Sequence, residues 1–156
     1  MKWSEMSARE RDILVAENVM GFAPVRPLDL VGTTSEILHE DGAWYYKDDG
    51  ERDTEGVWHR HPDALPCWTP ESRYTTSIAA AWEVVEKMRT SDFDCTFGVC
   101  SDGAWAKFFH YTESEGDYER GGHASVDPRD ANEDWEATTC LAICEAAASA
   151  KGVEIE

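Results

Sequence analysis

Apolar positions along the chain change their spacing several times, and each change marks an element. Ser7-Ala8-Arg9-Glu10 has the form of a capping box, and Ile13, Leu14, Ala16, Val19 and Met20 continue it as an apolar stripe at helical spacing. Gly21 is placed to close this helix in the left-handed conformation, and Pro24 and Pro27 prevent its resumption. A second helix is predicted where Thr76 or Ser77 can cap it and Ile78, Ala81, Trp82, Val85 and Met88 share one stripe; Trp82 is expected in the core. The third helix begins between Trp135 and Thr138, carries Leu141, Ile143, Cys144 and Ala147, and closes at Gly152.

Elsewhere the period is two. Phe93, Cys95, Phe97 and Val99 alternate with Asp94, Thr96 and Gly98, which predicts a half-buried strand, and Ser101-Asp102-Gly103 supplies a turn. The strand expected next, Ala104 to Thr112, places Trp105, Lys107, Phe109 and Tyr111 on one face and Ala106, Phe108 and His110 on the other. Its apolar character on both faces predicts a central strand covered on two sides. Trp44-Tyr45-Tyr46-Lys47, between Gly42 and Asp48-Asp49-Gly50, reads as a short edge or hairpin strand. Pro62, Pro66 and Pro70 set an ordered connection between Val57 and Tyr74 rather than a helix. This order implies an α/β class, an α+β arrangement tending to a three-layer αβα sandwich, with a small, mostly antiparallel sheet covered by about three helices. A length of 156 residues suits a single domain over 1–156.

Charge changes the picture more than overall composition does. The formal net charge is −18, and two windows hold −13 of it: residues 36–55, with eight acids and two bases, and residues 113–136, with nine acids and two bases. Both are rich in Gly, Asp and Glu, and both read as acidic loop insertions or short strand edges. Such a surface repels nucleic acid and anionic membranes, since phosphate binding needs Lys and Arg. It has two readings: an acidic coat that keeps the chain in solution, or a face that docks on a basic protein. In the second, the contact residues are Asp48, Asp49, Glu51, Asp53, Glu55, Glu113, Glu115, Asp117 and Glu119. No apolar run reaches the roughly 20 residues of a membrane span, and the acidic N-terminus does not resemble a secretion signal.

Candidate chemistry is sparse. Five cysteines, at positions 67, 95, 100, 140 and 144, are an odd number and point to reduced thiols. Cys140 and Cys144 lie four apart on a helix, and His59, His61 and Cys67 could add ligands, but the spacing matches no common zinc module; neither metal nor cofactor is expected. His59 and His61 share one side of an extended chain, so Trp58, His59, His61, Trp68 and Tyr74 form a candidate ligand-binding set, with plain packing of Trp58 and Trp68 as the other reading. The chain lacks a Gly-rich phosphate loop, a Gly-x-Ser-x-Gly elbow, a His-Glu-x-x-His helix and a Cys-x-x-Cys pair, so no enzyme is expected. An unrecognised hydrolase using His59, His61 or His110 as general base stays open as an alternative.

Three stretches taken together carry a family resemblance: Ala8 to Gly21, ending Val19-Met20-Gly21; Tyr74 to Met88, after the proline-bearing connection; and the late Leu141-Ala142-Ile143-Cys144. In this order they resemble the bacteriophage three-layer αβα sandwich domain family. The resemblance implies that fold and a phage or prophage origin, and no catalytic site. Glu145, where the family pattern has a basic residue, and the acidic segment from Glu113 to Glu136 depart from it. The expectation is therefore a non-enzymatic phage accessory protein that binds a host protein in the host bacterial cytoplasm through an acidic surface, counteracting host defence. The alternative is a protein that binds or sequesters a nucleotide signal. Neither direct nucleic-acid binding nor membrane contact is expected, and the oligomeric state is left open.

Overall fold

A computed structural model describes residues 2–23, 36–67, 72–111 and 118–155. In chain order the elements are α1 (Ala8–Val15), β1 (Glu36–Leu38), β2 (Trp44–Tyr46), β3 (Gly50–Arg52), β4 (Trp58–Arg60), α2 (Ile78–Arg89), β5 (Asp94–Cys100), β6 (Gly103–Tyr111), β7 (Tyr118–Val126) and α3 (Trp135–Ala150). Three helices with small antiparallel sheets make the expected α+β arrangement. The chain clusters into two compact units, one of residues 1–20 and 73–156, the other of residues 21–72.

The larger unit is organised around α3. This helix is buried on nearly every side: Cys140, Leu141, Ile143, Cys144, Ala146, Ala147 and Ala148 are all at most 5% exposed. A helix apolar all round must have neighbours all round, and α3 packs against β6 and β7 in one direction and α2 in another. The sheet it covers is an antiparallel meander in the order β5-β6-β7. Ala104, Ala106 and Phe108 of β6 and Ala124 and Val126 of β7 supply its buried face. The expected central strand is thus present, but it is covered on one face: opposite Phe108 the side chain of Lys107 is exposed and Trp105 is only half-buried. Trp105 is wide enough to shield itself by lying against Gly98 of β5, where any Cβ would meet the indole at 3.0 Å.

α1 begins as its sequence dictates. Ser7 Oγ accepts from Glu10 N–H at 3.3 Å and the Glu10 carboxylate accepts from Ser7 N–H at 2.7 Å, a closed capping box. After Val15 the helix widens into a π-helical turn over Ala16–Met20 and stops at Gly21, whose φ of +75° is the left-handed closure expected of it. Leu14, Ala16 and Val19 are buried as read in the sequence, but the buried face also takes in Asp12 and Val15, while Ile13 and Met20 are half-buried.

Two further expectations are corrected. In α2 the inward stripe is Ala81, Val84, Val85 and Met88, and Trp82 is 47% exposed rather than core. Both stripes are apolar, and the small Ala81 is on the one that meets α3. Trp82 instead sets its ring edge-on to Phe97 of β5, at 6.1 Å and 78°. The acidic window 113–136, read as a loop insertion or a short strand edge, contains β7, a nine-residue edge strand of the main sheet, and the start of α3. Its pattern Gly122, Ala124 and Val126 buried against His123 and Ser125 exposed is a period-two strand, hidden in the sequence because its inward residues are small.

The smaller unit consists of two antiparallel pairs, β1–β2 and β3–β4. Trp44–Tyr46 is the hairpin strand anticipated, and the supposed connection after Val57 opens with β4. Tyr45 and Trp58 are 2% and 8% exposed, and the His39 ring meets both edge-on at 5.6 Å. Cys67 bridges to Trp44 and to Ala23, which ties the two ends of this unit together.

Candidate functional site

The acidic candidates of the smaller unit cluster on its second hairpin. Asp48 and Asp49 lie in the short 3-10 turn Lys47–Asp49 that leads into β3, and Glu51, Asp53 and Glu55 follow on β3 and its turn. Asp48, Glu51, Asp53 and Glu55 are exposed and Asp49 is half-buried. Asp53 is committed to the turn: its Oδ1 accepts from the N–H groups of Glu55 and Val57, both at 2.9 Å, and its Oδ2 lies 2.8 Å from His59 Nε2. These bonds, the His59 contact first, hold its carboxyl below the usual aspartate range. Local cations do not neutralise the others. Arg52 donates to Gly56 O at 2.6 Å, and Arg60 lies over the Tyr45 ring and donates to its hydroxyl at 3.0 Å. Among the described residues of this unit no Lys or Arg forms an ion pair with an acid, so Asp48, Glu51 and Glu55 present bare charge. Glu113, Glu115 and Asp117 lie outside the described residues, and of Glu119 only the backbone, in β7, is described.

Of the candidate ligand set, Trp58, His59 and His61 belong to the smaller unit and Tyr74 to the larger. Trp58 is buried under His39 and Tyr45, so its ring is used in packing. His59 is held by Asp53, and His61, at the end of β4, donates its backbone N–H to Asp49 O at 2.8 Å. A cavity of about 270 Å³ lies beside them, lined by Ile37, His39, Glu40, Arg52, Trp58 and His59 among others. Trp68 lies outside the described residues, and Tyr74, 1% exposed, belongs to the core of the larger unit. His110 is also structural in its contacts: it stacks on Phe93 at 3.7 Å, with Nδ1 2.9 Å from Asp92 O.

Sequence reasoning passed over a buried acid, Asp12. Asp12, 1% exposed, accepts from both the N–H and the hydroxyl of Thr75 at 2.9 Å through Oδ1, while its Oδ2 is buried with no partner among the described residues. Burial pushes its pKa up, against the two Thr75 hydrogen bonds and the nearby Arg73 and Arg9. The signal was available: positions 12, 15, 16 and 19 form a helical stripe with one acid on it. Cys140 and Cys144 face the same interior. Burial pushes the Cys140 thiol up to about 12, and Cys144, which donates to Tyr74 O at 3.2 Å, is pushed up as well. Burial thus favours the neutral thiol form of both. Among the described residues no three His, Cys, Asp or Glu side chains come close enough to share an ion.

Glu145, the departure noted in the sequence, lines a cavity of about 300 Å³ with Trp3, Ser4, Arg11, Ser125, Asp130 and Leu141. Burial raises its pKa, with Arg11 opposing and Asp130 reinforcing. Arg11 spends its donors on the carbonyls of Trp3 and Ser4, at 3.0 and 3.3 Å, and lies over the Trp3 ring.

The family model of the Phage ABA sandwich domain matches residues 13–148, which takes in the last part of α1, both hairpins, the meander and nearly all of α3. Compared with curated proteins and with solved structures, the chain gives no match. No helix of the described residues is long and apolar enough to cross a membrane. With the match running over most of its length, the chain belongs to the Phage ABA sandwich domain family.

Proposed function

We propose that this protein is a non-enzymatic phage accessory protein that binds a host protein through its acidic surface, in the host cytoplasm, and so counteracts a host defence. The observation that carries this reading is the set of exposed, unpaired carboxylates Asp48, Glu51 and Glu55 on one hairpin of a chain of net charge −18. Unpaired surface charge of one sign accelerates encounter with a surface of the other sign and is screened by salt. The partner is accordingly a protein with a basic face, of the kind that handles nucleic acid. Sequestration of a nucleotide signal is less well supported, since Trp58 and Tyr74 are buried and Arg60 is engaged by Tyr45.

The test compares host proteins retained by the wild type with those retained by the triple variant Asp48→Lys, Glu51→Lys, Glu55→Lys. A specific partner is expected to associate about tenfold or more slowly with the variant, and with the wild type in high salt, at little change in fold. A partner whose association ignores both the charge reversal and the salt would overturn the reading.

A further inference from the structure

We infer that the open edge of β5 is the contact between two copies of this chain, which pair antiparallel about a two-fold axis at Phe97 and join their meanders into one continuous sheet. β5 is an edge strand in the order β5-β6-β7, with no other strand beside it among the described residues. Exposed edges are ordinarily blunted by Lys, Pro or a bulge. The strand Asp94-Cys95-Thr96-Phe97-Gly98-Val99-Cys100 has none of these, and the irregularity of this sheet falls between Phe108 and Phe109, away from β5.

The register selects the axis. Cys100 pairs with Gly103 across the two-residue loop, so these two exchange hydrogen bonds, and counting back by twos Gly98, Thr96 and Asp94 also point their backbone groups at β6. Cys95, Phe97 and Val99 therefore turn their N–H and C=O groups outward. A two-fold axis at Phe97 sets Phe97 against Phe97 and Cys95 against Val99 of the other copy, which satisfies all of these groups with roughly six hydrogen bonds. The same three side chains lie on the face of the sheet that carries the helices, since Cys95, Phe97 and Val99 pair with Phe108, Ala106 and Ala104.

The surface around that edge is apolar where the rest of the chain is acidic. Phe97 is 41% exposed, Val99 57%, Trp82 47% and Ile78 42%. Together they leave on the order of 400 Å² of apolar surface. The strand edge brings this to about 600 Å² per copy, the lower end of specific interfaces. Self-pairing sets like charge against like charge at the ends of the strand, where Asp92 of one copy comes opposite Asp102 of the other and Asp94 is two residues along. An isologous contact of this kind uses the β5 edge of both copies and closes at two, with β7 as the outer strand on each side.

Sedimentation velocity from micromolar to hundreds of micromolar protein, at low and high salt, tests the inference. The expected result is a monomer–dimer equilibrium that tightens with salt, because the end contacts repel; this is the opposite sign to the acidic docking above, so the two readings fail separately. Val99→Lys, at a side chain more than half exposed, is expected to weaken the dimer about tenfold or more with an unchanged circular dichroism spectrum, and Phe97→Lys, which sets two cations face to face, to abolish it. Amide exchange should slow at Cys95, Phe97 and Val99 on dimerisation. A monomer throughout in high salt, or a dimer indifferent to Val99→Lys with those amides unprotected, would overturn it.

Discussion

Replacing Asp12 with Ala is expected to cost about 3 kcal/mol of stability, measured by urea unfolding at neutral pH. The buried Thr75 N–H loses its acceptor and the hydroxyl keeps only the long contact to Ala8 O at 3.5 Å, and an unpaired buried donor costs on the order of 1–3 kcal/mol, partly offset by removal of a buried carboxylate. Asp12→Asn separates the two contributions, because the amide oxygen keeps the Thr75 contacts and the charge is gone. Its stability at neutral pH should stay within about 1 kcal/mol of the wild type.

The pH dependence has a definite sign. A carboxyl whose pKa is raised by folding contributes stability that is complete below the ordinary aspartate value, about 3.9, and is lost as pH rises through the folded value. Asp12→Asn should therefore gain on the wild type as pH rises from 4 to 8. Glu145 adds to the wild-type trend in both proteins, while Asp127, held down to about 2 by Arg129, acts oppositely at acid pH; neither alters the difference between them. If that difference is flat with pH, Asp12 is not the buried titrating group described.

The second large effect is expected at Gly122. A Cβ there would run into the backbone of α3 at Ala146 and Ala150, where nothing can swing aside. Gly122→Val should force α3 off β7 and reopen the face that buries Ala124 and Phe108, with a loss of about 3 kcal/mol or a failure to accumulate folded protein. Val substituted at the neighbouring exposed position, His123→Val, is the control. A Gly122→Val protein as stable as this control would mean that the helix does not approach the strand so closely.

The helices and the β5–β6 hairpin were legible in the sequence because they carry local marks: the Ser7–Glu10 box, the Gly21 stop, the alternation from Phe93 to Val99 and the Ser101-Asp102-Gly103 turn. β7 was not, since Gly122, Ala124 and Val126 are inward residues chosen for how near α3 comes, and smallness does not register as hydrophobic periodicity. Trp82 failed for a related reason: α2 has apolar residues on two stripes, and the position of α3 decides which one is interior. Of the candidate sites, the acidic hairpin was visible as composition, whereas the engagement of Asp53 in its own turn, the Asp12–Thr75 pairing across 63 residues and the burial of Trp58 under His39 and Tyr45 depend on tertiary placement.

The thiols carry a practical consequence for chemistry performed on the intact protein. Cys67, Cys140 and Cys144 are buried and Cys95 is half-buried with its thiol pushed up by burial, which leaves Cys100, whose Sγ donates to Gly103 O at 3.4 Å, as the one exposed cysteine of the five. Alkylation with a maleimide under native conditions should then stop near one label per chain and rise to five on unfolding, as intact mass would register. Because Cys100 ends β5, such a label sits at the rim of the strand edge, and a native chain offers a single chemical handle there without any engineered cysteine.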